Sequence, residues 1–280
     1  MQDFPPTPTL ADAPDALLDG GHLWIRELVS GTPFRFQLRP SGVLHFGDAD
    51  AVYDPAEVPL RYQHAVRHVR TRFDRAELRA SVDAVESVTF LGVAVDQRAV
   101  DYDWRRTPSF LGTDVYHGER GRFLPLDAAE QVYAGLGLDP VVAFEKEVRA
   151  VDFDPDDYAI PDSTWADGPA AGVVLRDKTG DRAVVTNPAV PALGDSALDG
   201  ATAAELVDDH VTDRWLDGLV SHLGVDDDAL GFDALFERAV EALARERARA
   251  FRDGSVDTDE SVVRSAMADR VESYLVDRRR

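Results

Sequence analysis

Leu23-Trp24-Ile25-Arg26-Glu27-Leu28-Val29-Ser30-Gly31-Thr32-Pro33-Phe34-Arg35-Phe36 is the stretch on which the reading of the fold turns. From Trp24 onward its pattern is that of β-structure. Phe34, Phe36 and Leu38 alternate with Arg35, Gln37 and Arg39, and Pro40-Ser41-Gly42 supplies a turn into Val43-Leu44-His45-Phe46. Period-two alternation on both sides of a Pro/Gly turn predicts a hairpin with one apolar face.

The chain around this stretch has 280 residues, enough for one large domain or one domain with an appendage. Its 44% apolar content suits a buried core. The formal charge is −22 and the pI about 4.6. Only Lys146 and Lys178 are lysines, so 28 of the 30 basic residues are arginine. Abundant Asp with scarce Lys points to a high-salt cytoplasm, where an acidic surface keeps proteins soluble. Clusters such as Asp226-Asp227-Asp228 and Asp101-Tyr102-Asp103 therefore say little about metal binding. The absence of cysteine excludes disulfides, thiolate metal sites and a cysteine nucleophile. The opening residues MQDFPPTPTLADAPD do not resemble a signal peptide, and no run approaches the ~18 apolar residues of a membrane span. A soluble, cytoplasmic protein is expected.

Residues 1–20, rich in Pro and Asp, read as a lead-in. Residues 60–81 change to helical period, with Tyr62, Val66, Val69, Phe73 and Ala76 on one stripe and His64, His68, Arg72, Arg75 and Arg79 on the other. Six arginines against Asp74 and Glu77 give this segment +4 in an acidic chain. The arginine stripe could meet acidic neighbours on the C-terminal part or a nucleic-acid backbone, and Arg72, Arg75 and Arg79 are the candidate nucleic-acid contacts. The arginines argue against a metal on His64 and His68. Strands are predicted at 87–91, 110–116 and 144–153, a helix at 126–138, and a hairpin pairing 171–176 with 182–186. After about residue 195 the period is helical. Three helices carry Val207/Val211/Trp215/Leu219, Phe236/Val240/Leu243/Phe251 and Val263/Met267/Val271/Tyr274, with Asp233 as N-cap and Gly254 as C′ residue of the middle one.

Five segments, in order, resemble the adenylation domain of the RNA ligase family, within the covalent nucleotidyltransferases. Leu23 to Phe36 is similar to the strand and loop in which that family carries Glu-Lys-x-Asp-Gly-Thr, with Leu28 at the lysine position, Ser30 at the aspartate position and Gly31 retained. Thr89-Phe90-Leu91-Gly92-Val93 lies where the family has Phe-Gly-Glu, so that Val93 stands for the ribose-binding acid. Phe110 to Tyr116 resembles the strand whose aromatic residue flanks the adenine. Gly168 to Arg176 resembles Glu-Gly-Val-Val-Leu-Arg, with Ala171 in place of the metal-related glutamate. Gly180 to Pro188 lies where the family's last strand sets lysines against the α-phosphate, and it has none. The resemblance implies an α+β fold, in which a nucleotidyltransferase domain of antiparallel sheets with flanking helices covers residues 21–195. A small all-α domain over 196–280 follows it.

In that family the lysine amine attacks the α-phosphate of ATP. A leucine has no lone pair with which to do so, and the missing carboxylates remove the charge that would hold Mg²⁺ near the phosphates. Lys146, flanked by acids, reads as a surface ion pair, and Lys178 as a solvated turn residue. Glu27 is expected beside a purine amino group or Arg35. Arg35 and Arg176 are the candidate anion contacts, because a guanidinium binds phosphate bidentately. Phe110 and Val173 complete the expected nucleotide site, and Trp104, Tyr102 or Phe110 could stack on bases. The reading is a non-catalytic nucleotide- or RNA-end-binding protein. One alternative is an active ligase with a displaced nucleophile, needing ATP and Mg²⁺. Another is an interaction module whose C-terminal helices bind a protein.

Overall fold

A computed structural model describes residues 1–190, 202–223, 231–251 and 260–278. They divide into two compact units. The first comprises residues 1–58, 65–95 and 99–190, and the second 59–64, 96–98 and the described residues from 202 onward.

The first unit is built on two antiparallel sheets. One has four strands in the order β10-β9-β1-β8, formed by β1 (His22–Glu27), β8 (Ala143–Arg149), β9 (Gly172–Asp177) and β10 (Arg182–Thr186). The other has six, in the order β4-β3-β2-β5-β6-β7, formed by β2 (Gly31–Leu38), β3 (Leu44–Gly47), β4 (Val52–Tyr53), β5 (Val88–Val95), β6 (Phe110–His117) and β7 (Arg122–Phe123). The β2–β3 and β9–β10 hairpins form as the alternation predicts. The expected strand at 144–153 ends at Arg149 and turns through a 3-10 segment, Ala150–Asp152.

Strand parity gives each sheet an outer and an inner face. On the four-stranded sheet Leu23, Ile25, Val173, Leu175 and Ala183 pack outward with Leu17, Ala150 and Phe153. The residues of opposite parity, Trp24, Arg26, Val174, Arg176, Arg182 and Val184, form the inner face. On the six-stranded sheet Phe34, Phe36, Phe46 and Phe90 make a stacked and edge-to-face aromatic core with Phe73, Phe110 and Tyr133. Arg35, Leu91 and Asp114 sit in register on its other face. Two side-chain bridges join the inner faces: Arg26 to the carbonyls of Gly112 and Thr113, and Arg176 and Arg182 to Asp114. Gly31, the first residue of β2, has a packing reason to be glycine, because a Cβ there would collide with the Ala94 carbonyl and Val93.

The segment 60–81 is not one helix. It is a 3-10 turn (Leu60–Tyr62), α2 (Gln63–Arg72) and α3 (Arg75–Ser81), broken where Asp74 caps α3 by accepting the amides of Ala76 and Glu77 at 2.9 Å each. Ala76 is exposed and Leu78 is the buried residue of α3, while His64 is buried instead of lying on an exposed stripe. Arg72, Arg75 and Arg79 are exposed as expected. α4 (Leu126–Gly135), one turn shorter than anticipated, delivers the fully buried Tyr133. A further short helix, α1 (Ala16–Asp19), brings Leu17 into the outer core.

In the second unit the described residues hold four helices where three were expected: α5 (Ala203–His210), α6 (Asp213–Leu223), α7 (Phe232–Glu246) and α8 (Glu260–Arg278). The run carrying Val207 and Trp215 breaks at Val211, because the Thr212 hydroxyl takes the Trp215 amide and starts a new helix. The N-cap of α7 is Gly231, so Asp233 lies inside its first turn. Gly254 and Asp226-Asp227-Asp228 lie outside the described residues. Leu206, Val207, Leu216, Leu235, Val240, Leu243, Val263, Met267 and Val271 form the core of this unit.

Candidate functional site

Between the inner faces of the two sheets lies a cavity of about 250 Å³. Leu28, Val93, Pro33, Val141, Val174 and Val184 give it apolar walls, and Arg26, Arg176, Arg182 and Asp114 a charged floor. It adjoins a wider space of about 880 Å³, sharing Pro5, Arg176 and Arg182 with it; Arg122, Lys178, Asp127 and Glu147 line that space.

The arginines reach the floor because β1, β9 and β10 are in register. Trp24 stands opposite Arg176, which stands opposite Arg182, and Arg26 follows on the same face. Two guanidinium groups, those of Arg176 and Arg182, thus meet one carboxylate, that of Asp114, and the charge of Arg26 acts on it as well. The Asp114 carboxyl is pushed up by burial, but the charges of Arg176, Arg182 and Arg26 outweigh this and hold it below the usual carboxylate range. Burial, opposed by Asp114, draws Arg26 and Arg176 below the ordinary guanidinium value; both stay charged, since arginine does not deprotonate in proteins. The Nε of Arg26 and that of Arg176 are buried and lack a hydrogen-bond partner. Buried donors without acceptors are costly, and this floor holds two of them together with more guanidinium groups than carboxylates.

The remaining positions named from the sequence fall in several places. Leu28 is at the cavity wall, as its place after β1 requires, and so is Val93. Ala171 packs against the apolar cluster of Val29, Val95, Tyr102, Leu111 and Val141, and presents no polar atom beyond its backbone. Glu27 is 2% exposed and accepts from the Ser163 hydroxyl at 2.6 Å and the Thr164 amide at 3.1 Å. Its partner is therefore not Arg35, because Glu27 has outer parity on β1 and Arg35 inner parity on β2. Arg35 instead binds Gln2 and Asp3, at 2.6 Å each. Two expectations need correction. Phe110 is fully buried among Phe34, Phe36 and Tyr133, and Val173 is fully buried in the outer core, so neither lines the cavity. Tyr102 is also enclosed, its hydroxyl taking the Ser30 amide at 2.7 Å. Lys146 ion-pairs with Glu130 at 2.6 Å and lies over the Trp24 ring, and Lys178 pairs with Glu147 at 2.5 Å; neither lines the smaller cavity. Arg26, Arg182 and Asp114 were not singled out from the sequence, although the inner parity of Arg26 opposite Leu23 and Ile25 was a usable signal.

Among the described residues no group of three or more His, Asp or Glu side chains is arranged to hold a metal ion. Two carboxylates belong to the cavity lining: Asp114 is neutralised by arginines and Glu27 is taken up by Ser163 and Thr164, so this donor set does not fit Mg²⁺. No helix among the described residues is long and apolar enough to cross a membrane.

Two antiparallel sheets with flanking helices enclosing such a cleft make the fold that of the RNA-ligase-type nucleotidyltransferases. A Naegleria gruberi RNA ligase variant solved with ATP and Mn superposes with a TM-score of 0.51 at 9% identity, over 68% of this chain and 57% of that one. Another variant of that ligase, solved with AMP and Mn, gives 0.50 at 10% identity over 68% and 56%. An archaeal ATP-dependent RNA ligase aligns over 99% of this chain and 65% of its own, with 14% identity and a TM-score of 0.48. The chain thus spans less than two thirds of the length of each of these ligases. No protein-family model and no curated protein matches the sequence.

Proposed function

We propose that this chain is a ligase-folded protein that binds a nucleotide or a phosphorylated RNA end in the cleft and does not form a covalent nucleotidyl adduct. The observation that carries the reading is the composition of the cavity: Leu28 at its wall, no lysine in its lining, and two buried guanidinium groups on its floor with unpartnered Nε donors. Those groups bind phosphate and orient it; none of them is a nucleophile at neutral pH. The exposed Arg72, Arg75 and Arg79 would extend contact along a nucleic-acid backbone. The acidic composition suits a high-salt cytoplasm. There the Debye length falls to ~3 Å at molar salt, so short-range arginine contacts dominate.

The test has two arms. Protein incubated with radiolabelled ATP and Mg²⁺ in molar KCl, then denatured, should retain no label. Label that is retained and then lost in Lys146→Ala would establish the displaced-nucleophile alternative. Equilibrium binding of ATP and of a 5′-phosphorylated oligoribonucleotide should be measurable and should weaken about tenfold in Arg26→Gln, for loss of one charge-assisted contact. Absence of binding at every salt concentration would favour an interaction module whose helical unit takes a protein partner. ATP and Mg²⁺ would be required cofactors only under the active-ligase reading.

A further inference from the structure

Resting on that reading, we propose that the segment Gln2–Thr9 is an internal occupant of the cleft: Asp3 holds Arg35 in place of a ligand phosphate, and an incoming nucleic-acid phosphate displaces it. The segment crosses from one sheet to the other. At one end the Gln2 amide donates to the Thr89 hydroxyl at 3.2 Å, and Arg35 donates to the Gln2 carbonyl and the Asp3 carboxylate at 2.6 Å each. At the other end the Val184 amide, on the edge strand β10, donates to the Pro8 carbonyl at 2.8 Å, and Thr9 bridges to Val184. In between, Phe4, Pro5 and Thr7 form part of the cavity wall, and the Phe4 ring lies 5.9 Å from the Arg35 guanidinium. A carboxylate on an arginine and a ring beside it reproduce the two recognition elements of a nucleotide, its phosphate and its base.

The asymmetry of the Arg35–Asp3 pair makes it exchangeable. The Arg35 side chain is 4% exposed and that of Asp3 is 83% exposed. Asp3 loses little by returning to water, whereas Arg35 without an anion would be a buried, uncompensated charge. Among the described residues the side-chain hydrogen bonds of Arg35 all go to this segment, and its Nε is buried without a partner. Release of the segment therefore requires another anion to arrive. Pro5, Pro6 and Pro8 lack amide donors, which limits the backbone bonds the segment can make and keeps it extended.

The experiment compares wild type, Asp3→Ala, Arg35→Ala and the double variant. It measures affinity for a 5′-phosphorylated oligoribonucleotide and for adenosine as the uncharged probe, in molar KCl. Asp3→Ala should bind the oligonucleotide about two- to fivefold more tightly, the range of an exposed ion pair, with no gain for adenosine. Arg35→Ala should bind it more weakly, and the double variant should show no gain over Arg35→Ala. Amide exchange at Val184 should quicken when wild type takes up the oligonucleotide. Measurable wild-type binding that Asp3→Ala leaves unchanged overturns the proposal and leaves the cleft reading intact. An equal gain for adenosine overturns it too. If no variant binds any probe, both readings fall.

Discussion

Asp114→Asn is the substitution that most directly probes the floor of the cleft. The carboxylate is 3% exposed and receives Arg176 and Arg182, with Arg26 in the same field. Asparagine keeps the volume, so almost no cavity term arises, but Arg176 and Arg182 then lose the carboxylate they bond, and Arg26 the carboxylate that acts on it most strongly. Removing one partner of a buried ion pair costs about 3–5 kcal/mol. The adjoining 250 Å³ cavity admits water and buffer anions to the guanidinium groups, which places the expected loss near 3 kcal/mol, at the lower end of that range. Denaturant unfolding followed by tryptophan emission in a Trp215→Phe background reads the first unit, which contains Trp24, Trp104 and Trp165. Inorganic phosphate at about 100 times its dissociation constant should restore ~2.7 kcal/mol to a protein that binds it on this floor. The pH dependence has a definite sign. Because the native Asp114 carboxyl lies below its ordinary value near 3.8, its contribution is complete above that pH and is lost as pH falls through the lower native value. The variant should accordingly show a flatter loss of stability below about pH 4. A destabilisation under about 1 kcal/mol would refute the buried-cluster argument.

Three further outcomes can be measured. Tyr133→Phe removes a hydroxyl that donates to the carbonyls of Leu91, at 2.7 Å, and Asp114, at 2.8 Å, and should cost about 1–2 kcal/mol in denaturant unfolding. Burial, with Asp114 nearby, pushes the Tyr133 phenol well above its ordinary value of 10.0; wild type should therefore lose stability as pH rises beyond 10, a loss the phenylalanine variant would lack. Gly31→Ala forces a methyl into the Ala94 carbonyl and should destabilise by about 1–3 kcal/mol, visible as a lower thermal midpoint. Leu28→Lys places an amine at the cavity wall but leaves Ser30, Val93 and Ala171 without a carboxylate, so the radiolabelled-ATP assay should still recover no adduct; covalent label would show that an amine at position 28 is enough.

Much of the strand layout was legible because a half-buried strand shows its two faces in period two. Phe34, Phe36 and Leu38 against Arg35 and Gln37 predict both the hairpin and its apolar side, and the β9–β10 hairpin is marked by Lys178-Thr179-Gly180-Asp181. Breaks inside apolar periodicity were not legible. Asp74 and Thr212 each end one helix and start another through a single side-chain cap, and a stripe counted over both halves hides that. The roles of Phe110 and Val173 were misjudged for a related reason: an apolar residue suits a strand's core face and its ligand face equally, and only packing separates the two.

By itself the sequence settled which chemical groups exist: 28 arginines against two lysines, a leucine at position 28 and no cysteine, and it placed most of the longer strands. The tertiary structure decided which of those groups meet. Arg26, Asp114, Arg176 and Arg182 are spread over more than 150 residues and are joined only by sheet register, and Asp3 finds Arg35 only because residues 2–9 cross both sheets. Strand parity is local and can be read from the chain. The pairing of charges between opposed sheets depends on which faces are buried together, and no local pattern encodes it.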